Sequence, residues 1–372
     1  MAAYHKSIEF VLITLTSNTE VAVNLTKGQN IDDCIPYMAR NCNLTVASIV
    51  GRRYCEVYFK SGTPNQVAAI RDDGGGTVVI GVFVVEYDTS GDVSVEQGTF
   101  SGTGATDTEV ISAVTIAKAL VVHNYQIDAS ASSQAWSNGA VRVEFSTTTE
   151  LTFTRVGTTG TMLGRWYVLS TTGSEFTVLH RQITIGSTAE LTETTIAATV
   201  LADTFLLSSY STVYTGDDIL IGSLVVDLKD TTTVRSRRGF NDFGDDTPDG
   251  AAVGVLIVEV QVIECQANEF LVARYECDWG DDVAKAVAIT EIDQDEAIIV
   301  AGGYQGTMSS AETSSGEGDG NNAYMSFTSD TEVTGTRGVN TDPDGTTMFE
   351  VVEFELAAAG VLNLVMAPYI PA

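Results

Sequence analysis

Two acidic loops hold the residues best suited to chemistry. Asn241, Asp242, Asp245, Asp246 and Asp249 crowd the first, and Asn340, Asp342 and Asp344 the second. Carboxylate and carbonyl oxygens spaced along a pliable loop are what Ca²⁺ coordination requires. The metal reading is therefore Ca²⁺ at Asp242, Asp245, Asp246, Asp249, Asp342 and Asp344, with no other cofactor expected. Neither loop has EF-hand spacing. Pro248 and Pro343, beside Asp and Gly, also build ordinary turns, so solvated hairpin turns are the competing reading.

Catalysis finds little support. The three histidines, His5, His123 and His180, lie at a terminus or inside strand patterns. None has a nucleophile and an orienting carboxylate in a recognisable motif, which acid–base or triad chemistry needs. GxSxG, HExxH and phosphate-loop motifs are missing from the sequence. Paired carboxylates for glycoside cleavage are the one arrangement so acidic a chain leaves open. The expectation is a non-enzymatic protein. Five cysteines, Cys34, Cys42, Cys55, Cys265 and Cys277, show neither CxxC spacing nor an even count, so buried thiols are expected.

The elements that must position these residues read as strands throughout: runs of Val, Ile, Thr, Phe and Tyr separated by Gly, Asp, Asn and Ser. Helical spacing is nearly absent. The best helical candidate, Asp281 to Ile289, reads equally well as a strand. Phe145 to Arg155 (FSTTTELTFTR) aligns without gaps on Phe327 to Arg337 (FTSDTEVTGTR), and Leu228 to Arg238 falls on the same register. A looser copy runs from Phe59 to Arg71. Each is a hairpin ending in Arg, then a Gly- or Asp-rich loop, a long apolar strand, and a further strand beginning at Val93, Phe176, Phe270 or Val361.

The fold class expected is all-β, with four tandem antiparallel β-sandwich units of immunoglobulin-like size and six strands each. Gly-rich joints place them at 1–99, 100–185, 186–279 and 280–372, forming a semi-rigid rod or a compact cluster. The recurring Arg71, Arg155, Arg238 and Arg337 are expected to pair with carboxylates of their own units, such as Glu86, Glu264 and Glu355. Tyr125, Tyr210 and Tyr304 are expected to anchor sandwich edges.

The block from Val141 to Ser170 followed by FTVLHRQ resembles repeat modules of structural (decoration, fibre or tail) proteins of tailed bacteriophages. Such modules read as a strand, a TxLTFxR hairpin, a Gly-rich loop, an aromatic-bearing strand and a closing strand. Val143 to Arg155, Trp166 to Val168 and Val93 to Gly98 match that pattern; the third and fourth units lack the Trp and have longer loops. The resemblance implies a virion component that oligomerises and docks to other virion proteins of capsid or tail. It would sit on the particle exterior, after assembly in the host cytoplasm.

Charge points the same way. With 49 Asp and Glu against 19 Lys and Arg, net −30, the chain repels phosphate backbones, so neither nucleic acid nor an anionic membrane surface is an expected partner. No apolar run reaches the length of a membrane span. A receptor- or carbohydrate-binding adhesin is the alternative, with Trp136, Phe240 and Phe243 as loop aromatics meeting a host surface receptor. A depolymerase ranks last.

Overall fold

The computed structural model describes residues 5–41, 54–72, 76–128, 136–187, 189, 191–213, 224–238, 240–241, 254–265, 270–280, 282–305, 307–308, 323–337 and 346–354. Almost all of its regular structure is strand. The first unit comprises β1 (His5–Leu15), β2 (Val21–Asn24), β3 (Cys34–Asn41), β4 (Glu56–Lys60), β5 (Gln66–Ile70) and β6 (Val78–Tyr87). The second comprises β7 (Val93–Gly102), β8 (Thr106–Val110), β9 (Ala119–Asp128), β10 (Arg142–Thr147), β11 (Glu150–Thr154) and β12 (Thr161–Thr171). The third holds β13 (Phe176–Ile185), β14 (Leu191–Thr195), β15 (Thr204–Thr212), β16 (Leu224–Asp230), β17 (Thr233–Arg238), the two-residue β18 (Phe240–Asn241) and β19 (Leu256–Cys265). The fourth holds β20 (Phe270–Asp278), β21 (Ala284–Ala288), β22 (Ala297–Gln305), the two-residue β23 (Thr307–Met308), β24 (Ala323–Ser329), β25 (Glu332–Arg337) and β26 (Thr346–Phe354). Asp281 to Ile289, the helical candidate, thus contains a strand.

Setting β18 and β23 aside, every unit pairs its six strands in the same way. The first and third flank the sixth, and the second and fourth flank the fifth, all antiparallel. The two triplets stack over one core: in the first unit Val11, Ile13 and Leu15 of β1 meet Val57 of β4, Val67 of β5 and Ile80 of β6. The four Thr-rich repeats are the hairpins β4–β5, β10–β11, β16–β17 and β24–β25, as their turn chemistry suggests.

Hydrogen bonding sets the joints elsewhere than at residues 99/100, 185/186 and 279/280. β7 bonds β12, β13 bonds β19 and β20 bonds β26. The strand expected to close each unit therefore opens the next, and the joints fall at 88–92, at 172–175 and between β19 and β20. The reason is that a tandem repeat has no preferred phase in sequence; the long-range partner of the sixth strand decides it.

That sixth strand also explains why the units are not beads. In β6, Val78, Ile80, Val82 and Val84 face the unit's own sandwich, whereas Phe83, Val85 and Tyr87 face a second core. β12 divides likewise, with Met162, Trp166 and Val168 inward and Tyr167 and Leu169 outward. In β19, Val258, Val260 and Val262 point in and Ile263 and Cys265 out. A strand apolar on both faces has to be covered twice. The four units cover one another by closing into a ring: β4 packs on β9 and β12, β10 on β15 and β19, β16 on β22 and β26, and β24 on β3 and β6. At the last-but-one seam Val225 pairs with Gly303, so that two triplets join into one six-stranded sheet.

Close packing leaves specific glycines no room. Gly98 lies opposite Trp166 in the β7–β12 ladder. A Cβ at Gly98 would stand 2.4 Å from Cζ2 of the Trp166 indole. Gly98→Ala is expected to cost about 1–3 kcal/mol in urea unfolding; a neutral result would mean that the indole swings aside freely.

Candidate functional site

The ring axis is where the repeat brings unlike residues together. In each unit a short 3-10 turn delivers the third strand to the axis: Ile31–Asp33 before β3, Ile116–Lys118 before β9, Leu201–Asp203 before β15 and Gln294–Glu296 before β22. The acidic side chains of the sixth strands hold three of these turns, since Glu86 accepts from Asn30 N at 3.3 Å, Glu264 from Val200 N at 2.9 Å and Glu353 from Asp293 N at 2.8 Å. Ladder register makes Ile35, Leu120, Phe205 and Ile298 equivalent, and all four lie in the shared core. Further along the same strands a cavity of about 140 Å³ opens, lined by residues of all four third strands, among them Tyr37, Val122, Leu207 and Val300. His123, Ser208 and Gln261 add polar atoms to its wall.

Those polar groups are largely committed to structure. The Gln261 amide accepts from Val121 N and donates to Val121 O, both at 2.7 Å, pinning the third unit to the second. His123 Nε2 donates to Val141 O at 3.1 Å, and burial pushes this imidazole down to about 4, so it is neutral. His180 donates from Nε2 to Ile116 O and Ala119 O, and burial again lowers its pKa. His5 Nε2 lies 2.5 Å from Glu296, joining the first unit to the fourth. Each histidine thus serves a contact within or between units, and the structure brings no two of them together.

No family model and no curated protein matches this chain.

The recurring arginines are structural, but not as ion pairs with Glu86 or Glu264. Arg155 is buried and donates from Nε to Gly104 O at 3.1 Å, from Nη1 to Asn138 O and Thr159 O, and from Nη2 to Gly160 O. Arg71 donates to Ser17 O and Gly76 O, Arg238 to Ala189 O, Gly254 O and Gly186 O, and Arg337 to Asp282 O and Gly280 O. A guanidinium with five fixed donors suits a cage of loop carbonyls. Glu355 lies outside the described residues. Tyr125 is an anchor: its hydroxyl donates to Gly139 O at 2.8 Å and accepts from Val141 N at 3.1 Å. Tyr210 packs against the third unit's core, and the Tyr304 side chain is outside the described residues.

Asp242, Asp245, Asp246, Asp249, Asp342 and Asp344 all lie outside the described residues, as do Asn340, Phe243 and the side chains of Trp136, Phe240 and Asn241. Among the described residues no group of three or more His, Cys, Asp or Glu is arranged to hold a metal ion, and no helix is long and apolar enough to cross a membrane. Cys34, Cys55, Cys265 and Cys277 are buried; burial pushes the Cys55 and Cys277 thiols up to about 12, far from reactive thiolates. Cys42 is outside the described residues.

One buried cluster was not legible in the repeats. Between the second and third units Arg142 Nη1 lies 2.8 Å from Glu144 and 4.0 Å from Glu259. Burial, with the charge of Glu144 added and Arg142 pulling the other way, pushes the Glu259 carboxyl up to about 7 from 4.5. The folded chain therefore holds a proton there that the unfolded chain has released, so the contribution of Glu259 favours folding at acid pH and is lost as pH rises from 4.5 through about 7. His123 runs oppositely, its contribution being lost as pH falls from 6.5 toward 4. Glu259→Gln is expected to stabilise the protein by on the order of 3 kcal/mol at pH 8 and by less than about 1 kcal/mol at pH 5. Equal effects at both pH values in urea unfolding would remove the titration from Glu259.

Proposed function

We propose that the chain is a non-catalytic structural protein of a tailed-bacteriophage particle, carried on its exterior as a head decoration, fibre or tail component. The observation that supports this most is the closed ring of four sandwiches in which buried arginines, amides and carboxylates hold loops and neighbouring units in place. Such a body offers rigid, repeated surfaces for docking, which is what a particle component needs. The TxLTFxR hairpin at Val143 to Arg155 and the strand around Trp166, which resemble phage repeat modules, give the class of particle. A net charge of −30 keeps an exposed body apart from nucleic acid, while the repeated surfaces serve its oligomerisation. Assembly in the host cytoplasm and docking to capsid or tail proteins follow from that reading.

The test is co-sedimentation of the purified protein with capsids and with tails, coupled to antibody labelling of intact particles. Stoichiometric binding to one of the two is expected. Absence from the particle, or turnover of host polysaccharide by the purified chain, would overturn the proposal.

A further inference from the structure

Four homologous units on one chain face an assembly problem: every fourth strand has the shape to pack on every third and sixth strand, in its own ring or in another chain's. Equivalent positions at the four seams carry different chemistry. Ladder register aligns Glu56, Arg142, Val225 and Tyr324 at the head of the fourth strands. It aligns Arg165, Glu259, Met348 and Gly81 on the sixth strands of the units they meet. The first seam therefore reads acid to base, with Arg165 Nε 2.7 Å from Glu56. The second reads base to acid, Arg142 to Glu259. The third sets Val225 in register with Gly303, beside Met348. At the fourth, Gly81 lies under the Met325 carbonyl, next to Tyr324.

A second set of positions varies in parallel. Gln97, His180, Arg274 and Phe10 are equivalent on the first strands, opposite Tyr167, Gln261, Glu350 and Phe83. Gln97 donates to Ile31 O at 3.1 Å, His180 to Ile116 O at 3.2 Å and Arg274 to Leu201 O at 2.8 Å, each carbonyl opening the preceding unit's 3-10 turn. At the closing seam Phe10 instead packs at a tilt against Phe83, their ring centroids 4.7 Å apart, and Phe83 is itself in edge contact with Phe327. Lys27–Asp295 and His5–Glu296 bridge that seam at its rim.

We infer that these equivalent positions form a recognition code that fixes the order of the four units and keeps units of different chains from pairing. A wrong junction places Glu56 against Glu259, or Arg142 against Arg165, in a half-buried seam, where like charges are costly. Head-to-tail interfaces of this kind close into rings or run on into open chains, so discrimination matters most while the ring forms.

The test is to make two seams read alike. Glu56→Arg alone sets two cations together and is expected to lower the melting temperature. Glu56→Arg with Arg165→Glu restores the pair in the sense of the second seam, so the melting temperature should return to near the wild-type value. The double variant should nevertheless yield at least twofold less of the wild-type oligomeric species, both on expression and after refolding from guanidinium, with mispaired larger assemblies that increase with protein concentration. Glu56→Gln, which removes a charge without copying another seam, should keep the wild-type oligomeric state. A double variant that recovers its stability and gives the wild-type species in wild-type yield at every concentration would overturn the inference, as would one that fails to recover its stability.

Discussion

Arg155→Met is expected to cost about 3–5 kcal/mol, read as a lower urea midpoint at unchanged slope. The Arg155 guanidinium serves four carbonyls, Gly104, Asn138, Thr159 and Gly160, drawn from three separate segments of the second unit. Methionine fills the space of the stem but donates nothing, so the buried Asn138 carbonyl and three part-buried ones lose this charged donor. Relief from burying the cation, which lowers its pKa in the fold, offsets part of the loss. Arg155→Lys should recover less than half, because an ammonium presents a point charge where a planar fork reaches both sides. A loss below about 1 kcal/mol for the methionine variant would show that water replaces the guanidinium at no cost. The same substitution at Arg238 should behave alike, since it gathers Ala189, Gly254 and Gly186 carbonyls in the third unit.

Arg274→Met should be of similar size, about 3–5 kcal/mol, for a different reason. Arg274 Nε lies 2.9 Å from Glu350 Oε1 at the seam of the third and fourth units, and the same guanidinium donates to Leu201 O and Thr204 O. Glu350 is buried and accepts from Leu206 N at 2.7 Å. Burial raises its pKa against the pull of Arg274, so removing the cation leaves a carboxylate with no counter-charge beside it. Adding Glu350→Gln removes that charge and keeps an acceptor for Leu206 N. The double variant is therefore expected to be more stable than Arg274→Met alone by at least about 1 kcal/mol. Strictly additive losses in the cycle would show that the two side chains act independently.

Much of the local architecture is readable without coordinates. The TTT and SDT turns between alternating strands specify the hairpins at Phe145 to Arg155 and Phe327 to Arg337. Their repetition specifies the number of units. The apolar run VVIGVFVVEY even carries the signal for a second core, because both of its faces are hydrophobic where a two-layer sandwich needs only one. The arginine partners were harder to see. Gly104 and Asn138 are 51 and 17 residues from Arg155, and a backbone carbonyl, unlike a carboxylate, leaves no mark in the residue type.

By itself, then, the amino-acid order determined which segments become strands, where hairpins turn and how often the module recurs, because these depend on neighbours a few residues apart and on a period of two. Tertiary structure alone decided where each unit begins, that the fourth closes on the first, and that Glu56 meets Arg165 while Arg142 meets Glu259. Those outcomes rest on pairings between strands tens to hundreds of residues apart, for which a repeating sequence offers several nearly equal partners until packing and buried charge choose among them.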